Sequence, residues 1–169
     1  MQTTSSVVGL AVIVVLYVGI GFLAAAGSVY VAKWLCKPKA EQIFFATVLI
    51  PIAGVYLAFT AHFGDSAAWR SETTAVAVFA LLGLVGIRVP LVLALGYLLH
   101  GLWDGLHELE ALGISIRTAG EVTPVPLAYG YFCATFDFVI AAYFFARRHA
   151  FRAAWRGAPE PEAAGAKVG

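Results

Sequence analysis

Charged residues are scarce in this sequence, and their scarcity decides the class of protein. Asp, Glu, Lys and Arg make up 12% of the 169 residues, whereas a soluble domain usually carries about 25%. Hydrophobic residues make up 61%. Because no soluble fold of this size could bury so much apolar surface, we expect a lipid bilayer to surround the chain.

Other absences narrow the function. The formal net charge is only +1 and no basic stripe is present, which argues against a nucleic-acid partner. The two cysteines, Cys36 and Cys133, fall at different predicted depths and are expected to be free thiols. Residues 1–6 contain no Lys or Arg, so we expect the first apolar segment to be retained as a helix and not cleaved as a signal peptide. No internal repeat suggests an inverted-repeat transporter.

Long apolar runs predict five transmembrane helices, at residues 7–32, 42–63, 73–87, 90–107 and 126–146. Each run is near the length that a spanning helix needs, and the third is the shortest. The predicted fold class is therefore all-α, with residues 1–156 forming one transmembrane helical domain. Residues 157–169 contain few large apolar side chains and are expected to form a disordered tail.

The distribution of basic residues predicts the orientation. They concentrate in the first and third connections and after the last span, at Lys33, Lys37, Lys39, Arg88, Arg147, Arg148, Arg152 and Arg156. By the positive-inside rule these segments face the cytoplasm. The N-terminus is then outside and the C-terminus cytoplasmic, in a multi-pass protein of the cell (inner) membrane. Residues 150–155 are expected to form a short basic helix on the inner leaflet.

The fourth span carries a polar stripe. His100, Asp104 and His107 share one face of a helix, and Glu108 lies at its edge. The flanking aromatic residues are Tyr97 and Trp103. An ionisable group at membrane depth costs about 3 kcal/mol on insertion scales, so such a group indicates a functional site with a partner.

The fifth span carries a second stripe, formed by Tyr129, Cys133 and Asp137 at intervals of four residues. If the fourth and fifth helices pack as antiparallel neighbours, residues at equal depth have numbers of nearly constant sum. His100 then lies level with the turn between Cys133 and Asp137. We therefore expect the two stripes to meet.

Three interpretations of this polar centre remain open. In the first, buried pairs such as His100 with Asp137 only fix helix packing, and the protein is a non-catalytic accessory or structural subunit. In the second, the centre binds Zn, Fe or Mn through His100, Asp104, His107 and Asp137, which are also the catalytic candidates. In the third, a metal-free cavity binds or turns over a membrane lipid or a small, largely apolar molecule. The additional binding candidates are Tyr97, Trp103, Glu108, Tyr129 and Cys133.

Gly101 and Gly105 form a small-residue step on the fourth helix. Such a step lets a neighbouring helix backbone approach closely. It therefore predicts a contact with a membrane-protein partner or with a second copy of the chain.

Two elements of the last spans resemble a known family. The first is His100-Gly-Leu-Trp-Asp-Gly-Leu-His107, and the second is Pro126-Leu-Ala-Tyr-Gly-Tyr-Phe-Cys-Ala-Thr-Phe-Asp137. Together they resemble a family of small bacterial integral membrane proteins without an assigned activity. The resemblance implies a bundle of four to five helices. A looser likeness, at the level of architecture, is to the sterol-isomerase type of membrane bundle, which buries His, Trp and acidic residues in a lipid-accessible cavity.

Overall fold

The computed structural model describes residues 2–63, 66–114 and 122–157. Within these ranges the chain is helical and contains no strand. The six helices are α1 (Gln2–Leu35), α2 (Pro38–Phe63), α3 (Trp69–Gly86), α4 (Pro90–Ala111), α5 (Tyr129–Ala146) and α6 (Arg148–Arg156). The all-helical class is confirmed. The predicted tail, residues 157–169, lies outside the described residues except for residue 157.

Three helices are long and apolar enough to cross a membrane, namely Val7–Leu35 in α1, Pro38–Phe63 and Tyr129–Ala146. They correspond to the first, second and fifth predicted spans. α3, with 18 residues, and α4, with 22, are also long enough to cross a membrane. Their ionisable side chains lower the mean hydropathy. Length and composition therefore support membrane localisation through three of the helices.

Four helix starts differ from the predicted boundaries. α1 and α2 begin earlier than predicted, at Gln2 and Pro38 and not at residues 7 and 42. α3 begins at Trp69 and not at Thr73, which places Glu72 inside its first turn, where an acidic side chain is favoured by the helix dipole. α5 begins at Tyr129 and not at Pro126. The reason is Ala128, whose φ of 65° is left-handed and cannot belong to a right-handed helix. The differences at α3 and α5 bear on the site described below.

Successive helices from α2 to α5 run up and down, and α4 packs most extensively against α5. Glycines allow the closest approaches. A Cβ on Gly130 would lie 2.6 Å from the carbonyl oxygen of Asp104, and a Cβ on Gly83 would lie 2.7 Å from that of Ala46. Large apolar side chains fill the core between these helices, including Phe45, Leu49, Leu93, Tyr97, Ile140 and Phe144. In a membrane such packing holds helices together by van der Waals contact.

α6 contains the predicted short basic helix and packs against α2, α4 and α5. Its place on the inner leaflet stays a prediction. The Trp155 ring contacts two cations: the guanidinium of Arg88 lies 4.3 Å from the ring centroid and the ammonium of Lys39 lies 5.4 Å from it. Its Nε1–H donates to Oε1 of Gln42 over 3.1 Å, and the Gln42 amide donates to the carbonyl of Gly86 over 2.7 Å. One aromatic side chain therefore joins α6 to α2 and to the α3–α4 connection.

Candidate functional site

The polar stripe of α4 is completely buried. His100, Asp104, His107 and Glu108 are each no more than 2% exposed. The four side chains do not form one cluster, because they point to different neighbours. His100 and Asp104 face α5 and α2, His107 faces α3, and Glu108 faces the start of α5.

The central cluster consists of His100, Asp104, Asp137 and Tyr56. Nδ1 of His100 donates to Oδ2 of Asp137 over 2.6 Å and lies 3.4 Å from Oδ2 of Asp104. The Tyr56 hydroxyl donates to Oδ1 of Asp104. Nε2 of His100 and Oδ2 of Asp104 are buried without a hydrogen-bond partner among the described residues. The predicted pairing of His100 with Asp137 is confirmed, and the two unpartnered atoms are unusual for a protein interior.

A cavity of about 210 Å³ reaches the central cluster from between α2, α4 and α5. The four cluster residues are part of its lining, and we call this part the polar end of the cavity. Its other walls are mainly apolar and aromatic, and comprise Ile52, Val55, Tyr129, Phe132, Cys133 and Phe136. Tyr129 and Cys133, both predicted to bind a ligand, therefore lie against this cavity. Cys133 is a free thiol, as is Cys36.

His107 belongs to a separate buried pair with Glu72 of α3. Nε2 of His107 lies 2.8 Å from Oε1 of Glu72, and Nδ1 donates to the carbonyl of Trp103 over 2.9 Å. Glu72 also accepts hydrogen bonds from the indole of Trp103 (3.3 Å) and from the backbone of Thr123 (3.0 Å). Both ring nitrogens of His107 are therefore occupied, and the structure does not bring this residue into the central cluster.

Glu72 and Tyr56 were not among the predicted site residues. The predicted third span begins at residue 73 and so leaves out Glu72, which is charged and precedes the apolar run. The available signal was helical spacing, since Glu72, Phe79, Gly83 and Gly86 are the buried residues of α3. Tyr56 follows the buried Leu49 by seven residues in α2, a spacing that also marks one helix face.

Glu108 holds the start of α5. Its Oε1 accepts from the backbone N–H of Ala128 and its Oε2 from that of Gly130, both over 3.0 Å. A carboxylate at a helix N-terminus is stabilised by the helix dipole. These charge-assisted bonds offset the left-handed conformation of Ala128, which costs about 1–2 kcal/mol for an L-residue. Glu108 is thus used for packing in this structure, away from the cavity.

Two of the remaining predicted residues, Tyr97 and Gly101, pack within the chain. Tyr97 is buried in the core, and its hydroxyl donates to the carbonyl of Phe45 over 2.8 Å. A Cβ on Gly101 would lie 2.7 Å from the Phe138 ring, so this glycine serves the packing of α4 on α5. Gly105 has open space beside it.

The donor atoms of the central cluster are close enough to share one ligand. One ring nitrogen of His100 and one carboxylate oxygen each from Asp104 and Asp137 all lie within 4.8 Å of one another. Three of the four predicted metal ligands are thus brought together. The same three groups could instead receive the polar end of a small molecule that enters the cavity.

Comparison with known proteins identifies a family and no activity. No curated protein and no solved structure matches the chain significantly. A family match covers residues 12–150, which include every residue of the central cluster and of the cavity. The description of that family states no function. The chain belongs to the family of unknown function DUF6010.

Proposed function

We propose that this protein is a multi-pass membrane protein that binds or turns over a small, largely apolar molecule in the cavity between α2, α4 and α5. The polar end of that molecule contacts His100, Asp104 and Asp137. The observation that carries the proposal is the pair of unpartnered buried atoms, His100 Nε2 and Asp104 Oδ2, beside an apolar-walled cavity. Buried polar groups normally have partners, and a bound molecule would supply them.

The cavity limits the chemistry of its ligand. At about 210 Å³ it is smaller than the roughly 300–1,000 Å³ of pockets for drug-sized molecules. Two carboxylates face one imidazole at the polar end, so a carboxylate or phosphate head would be repelled. Oδ2 of Asp104 requires a donor. A small alcohol or amine with an apolar body therefore fits best.

In the proposed membrane arrangement α1 to α5 each span the cell (inner) membrane. The N-terminus lies outside and the C-terminus lies in the cytoplasm. At a rise of 1.5 Å per residue, α4 is about 33 Å long, which matches the hydrocarbon core. Four of its ionisable side chains, His100, Asp104, His107 and Glu108, are buried inside the bundle, and Glu110 near its end is half-buried. This burial supports α4 as a span despite its polar residues.

Ligand binding can be tested by mass spectrometry of compounds extracted from protein purified in mild detergent. We expect one small apolar compound at a fixed ratio to wild-type protein. Val55→Phe adds a larger side chain to the apolar wall of the cavity, so the compound should no longer be retained. Val78→Phe makes the same change at a residue of α3 that is 48% exposed and should leave the compound in place. Absence of a stoichiometric compound from the wild type, or its retention in Val55→Phe, would contradict the proposal.

The orientation can be tested by cysteine labelling in intact cells. In a background carrying Cys36→Ser and Cys133→Ala, single cysteines replace Lys37, between α1 and α2, and Ile114, after α4. A membrane-impermeant maleimide should label position 114 and not position 37. Equal labelling of both positions would exclude an arrangement in which they lie on opposite sides.

A second candidate function is a non-catalytic accessory subunit whose buried pairs only fix packing. The observation that favours it is the complete satisfaction of His107, Glu72 and Glu108 by contacts within the chain. The two candidate functions predict different behaviour of the cavity. For an accessory subunit no compound is retained, and Val55→Phe should raise the thermal stability because it fills unused space.

A further inference from the structure

We infer that His100, Asp104 and Asp137 bind one divalent transition-metal ion at the polar end of the cavity. The inference rests on the proposed function, because the ion would lie in the same cavity and hold the polar end of the bound molecule. Its geometric basis is the convergence of one imidazole nitrogen and two carboxylate oxygens within 4.8 Å.

The charges of the cluster favour a divalent cation. All three side chains are no more than 2% exposed, and no Lys or Arg is buried in the part of the chain that the structure describes. With His100 protonated and both carboxylates ionised, one negative charge is uncompensated, and either a proton or a cation must neutralise it. The hydroxyl of Tyr56 donates a hydrogen bond but carries no positive charge. A divalent ion with a neutral imidazole brings the sum to zero, which removes the cost of a buried unpaired charge.

The donor set defines the class of ion. Oδ2 of Asp104 has no hydrogen-bond partner among the described residues and lies 3.4 Å from Nδ1 of His100. An ion would displace the proton that His100 shares with Asp137. Both atoms would then be free to bind the ion. One nitrogen and two oxygens suit Zn²⁺, Fe²⁺ or Mn²⁺. Tyr56, through its bond to Oδ1, would orient the Asp104 carboxylate as an outer partner.

Three protein ligands leave at least one coordination position open, as in sites where a metal binds a substrate. The cavity is lined by all three ligands, so the open position would be reached from it. A hydroxyl oxygen of the bound molecule would coordinate there. His107 takes no part, because Glu72 and the Trp103 carbonyl occupy its two nitrogens.

The test begins with the metal content of the full-length chain, purified in detergent and exchanged into metal-free buffer. We expect about one Zn, Fe or Mn per wild-type chain by elemental mass spectrometry. The metal content should fall below about a tenth of an ion per chain in Asp104→Asn and in Asp137→Asn, because an amide is a poor ligand for such an ion. Glu72→Gln is the matched control, since it changes another buried, His-paired carboxylate outside the cluster. It should retain the ion.

A second measurement on the wild type keeps the test decisive if the variants fold poorly. After removal of metal with a chelator, added Co²⁺ should produce visible d–d absorption, and Zn²⁺ or Mn²⁺ should raise the melting temperature. Less than about a tenth of an ion per chain, together with no response to Co²⁺, Zn²⁺ or Mn²⁺, would overturn the inference. So would full metal retention in Asp137→Asn. If a compound co-purifies without metal, only the metal inference fails; if metal is present without a compound, only the ligand-binding proposal fails.

Discussion

His100 and Asp137 lie 37 residues apart and are joined by a hydrogen bond of 2.6 Å between α4 and α5. Both side chains are buried, and each would be costly in this environment without the other. Their bond therefore aligns α5 with α4 and shapes the polar end of the cavity. It also connects the energetics of folding with the chemistry of the site.

This pairing predicts coupled effects on stability. His100→Leu or Asp137→Leu alone leaves a buried polar partner unsatisfied and should cost about 1–3 kcal/mol. The double replacement should recover part of that loss. The free energy of unfolding in detergent, measured by titration with a denaturing detergent, gives the coupling energy. His62→Leu, at an exposed position of α2, should be additive with Asp137→Leu. Additive losses for His100→Leu and Asp137→Leu would show that the two residues do not interact.

Glu108 is predicted to stabilise the start of α5. Glu108→Ala removes both acceptors from the backbone of Ala128 and Gly130 and should destabilise the protein by about 1–3 kcal/mol. Glu108→Gln keeps one carbonyl acceptor and should lose less. Thermal unfolding in detergent measures both effects. Equal stability of Glu108→Ala and the wild type would contradict the capping role.

Two glycines at the α4–α5 region should respond differently to the same substitution. Gly130→Ala places a Cβ 2.6 Å from the backbone oxygen of Asp104, so α5 must move away and about 1–3 kcal/mol should be lost. Gly105→Ala meets no atom within 4 Å and should be neutral or slightly stabilising, because alanine favours helix. The melting temperatures of the two variants test this difference. If Gly105→Ala instead weakens a dimer detected by light scattering, this glycine serves contacts between chains.

Trp155 is predicted to hold α6 against the bundle. Trp155→Ala removes the contacts with Arg88 and Lys39 and the hydrogen bond to Gln42. α6 should then separate from the bundle more often, and trypsin should cleave after Arg152 several-fold faster in a time course. His149→Ala, at an exposed position of α6, should leave the cleavage rate unchanged. Unchanged cleavage of Trp155→Ala would show that other contacts hold the helix.

Part of the candidate site followed directly from the local pattern. Helical spacing predicts that His100 and Asp104 share one face of the fourth helix. Antiparallel packing of the fourth and fifth helices predicts that Asp137 lies opposite them. Both predictions depend only on the regular geometry of single helices and on antiparallel packing of neighbours along the chain. The same geometry could not divide the stripe, because His107 lies about two turns from His100 in nearly the same direction around the helix axis. Which neighbouring helix each one contacts depends on how α2, α3 and α5 are placed around α4.

The sequence by itself determined the all-helical class, the membrane character of the long apolar helices and the position of the polar stripe, because composition and periodicity are local properties. Only the tertiary structure decided which groups meet. It brought Tyr56 to Asp104 and Glu72 to His107, and it used Glu108 as a cap for α5. The reason is that such pairings depend on how α2 and α3 are placed around α4. That placement is set by close contacts at small residues such as Gly83 and Gly86, which hydrophobic periodicity does not encode.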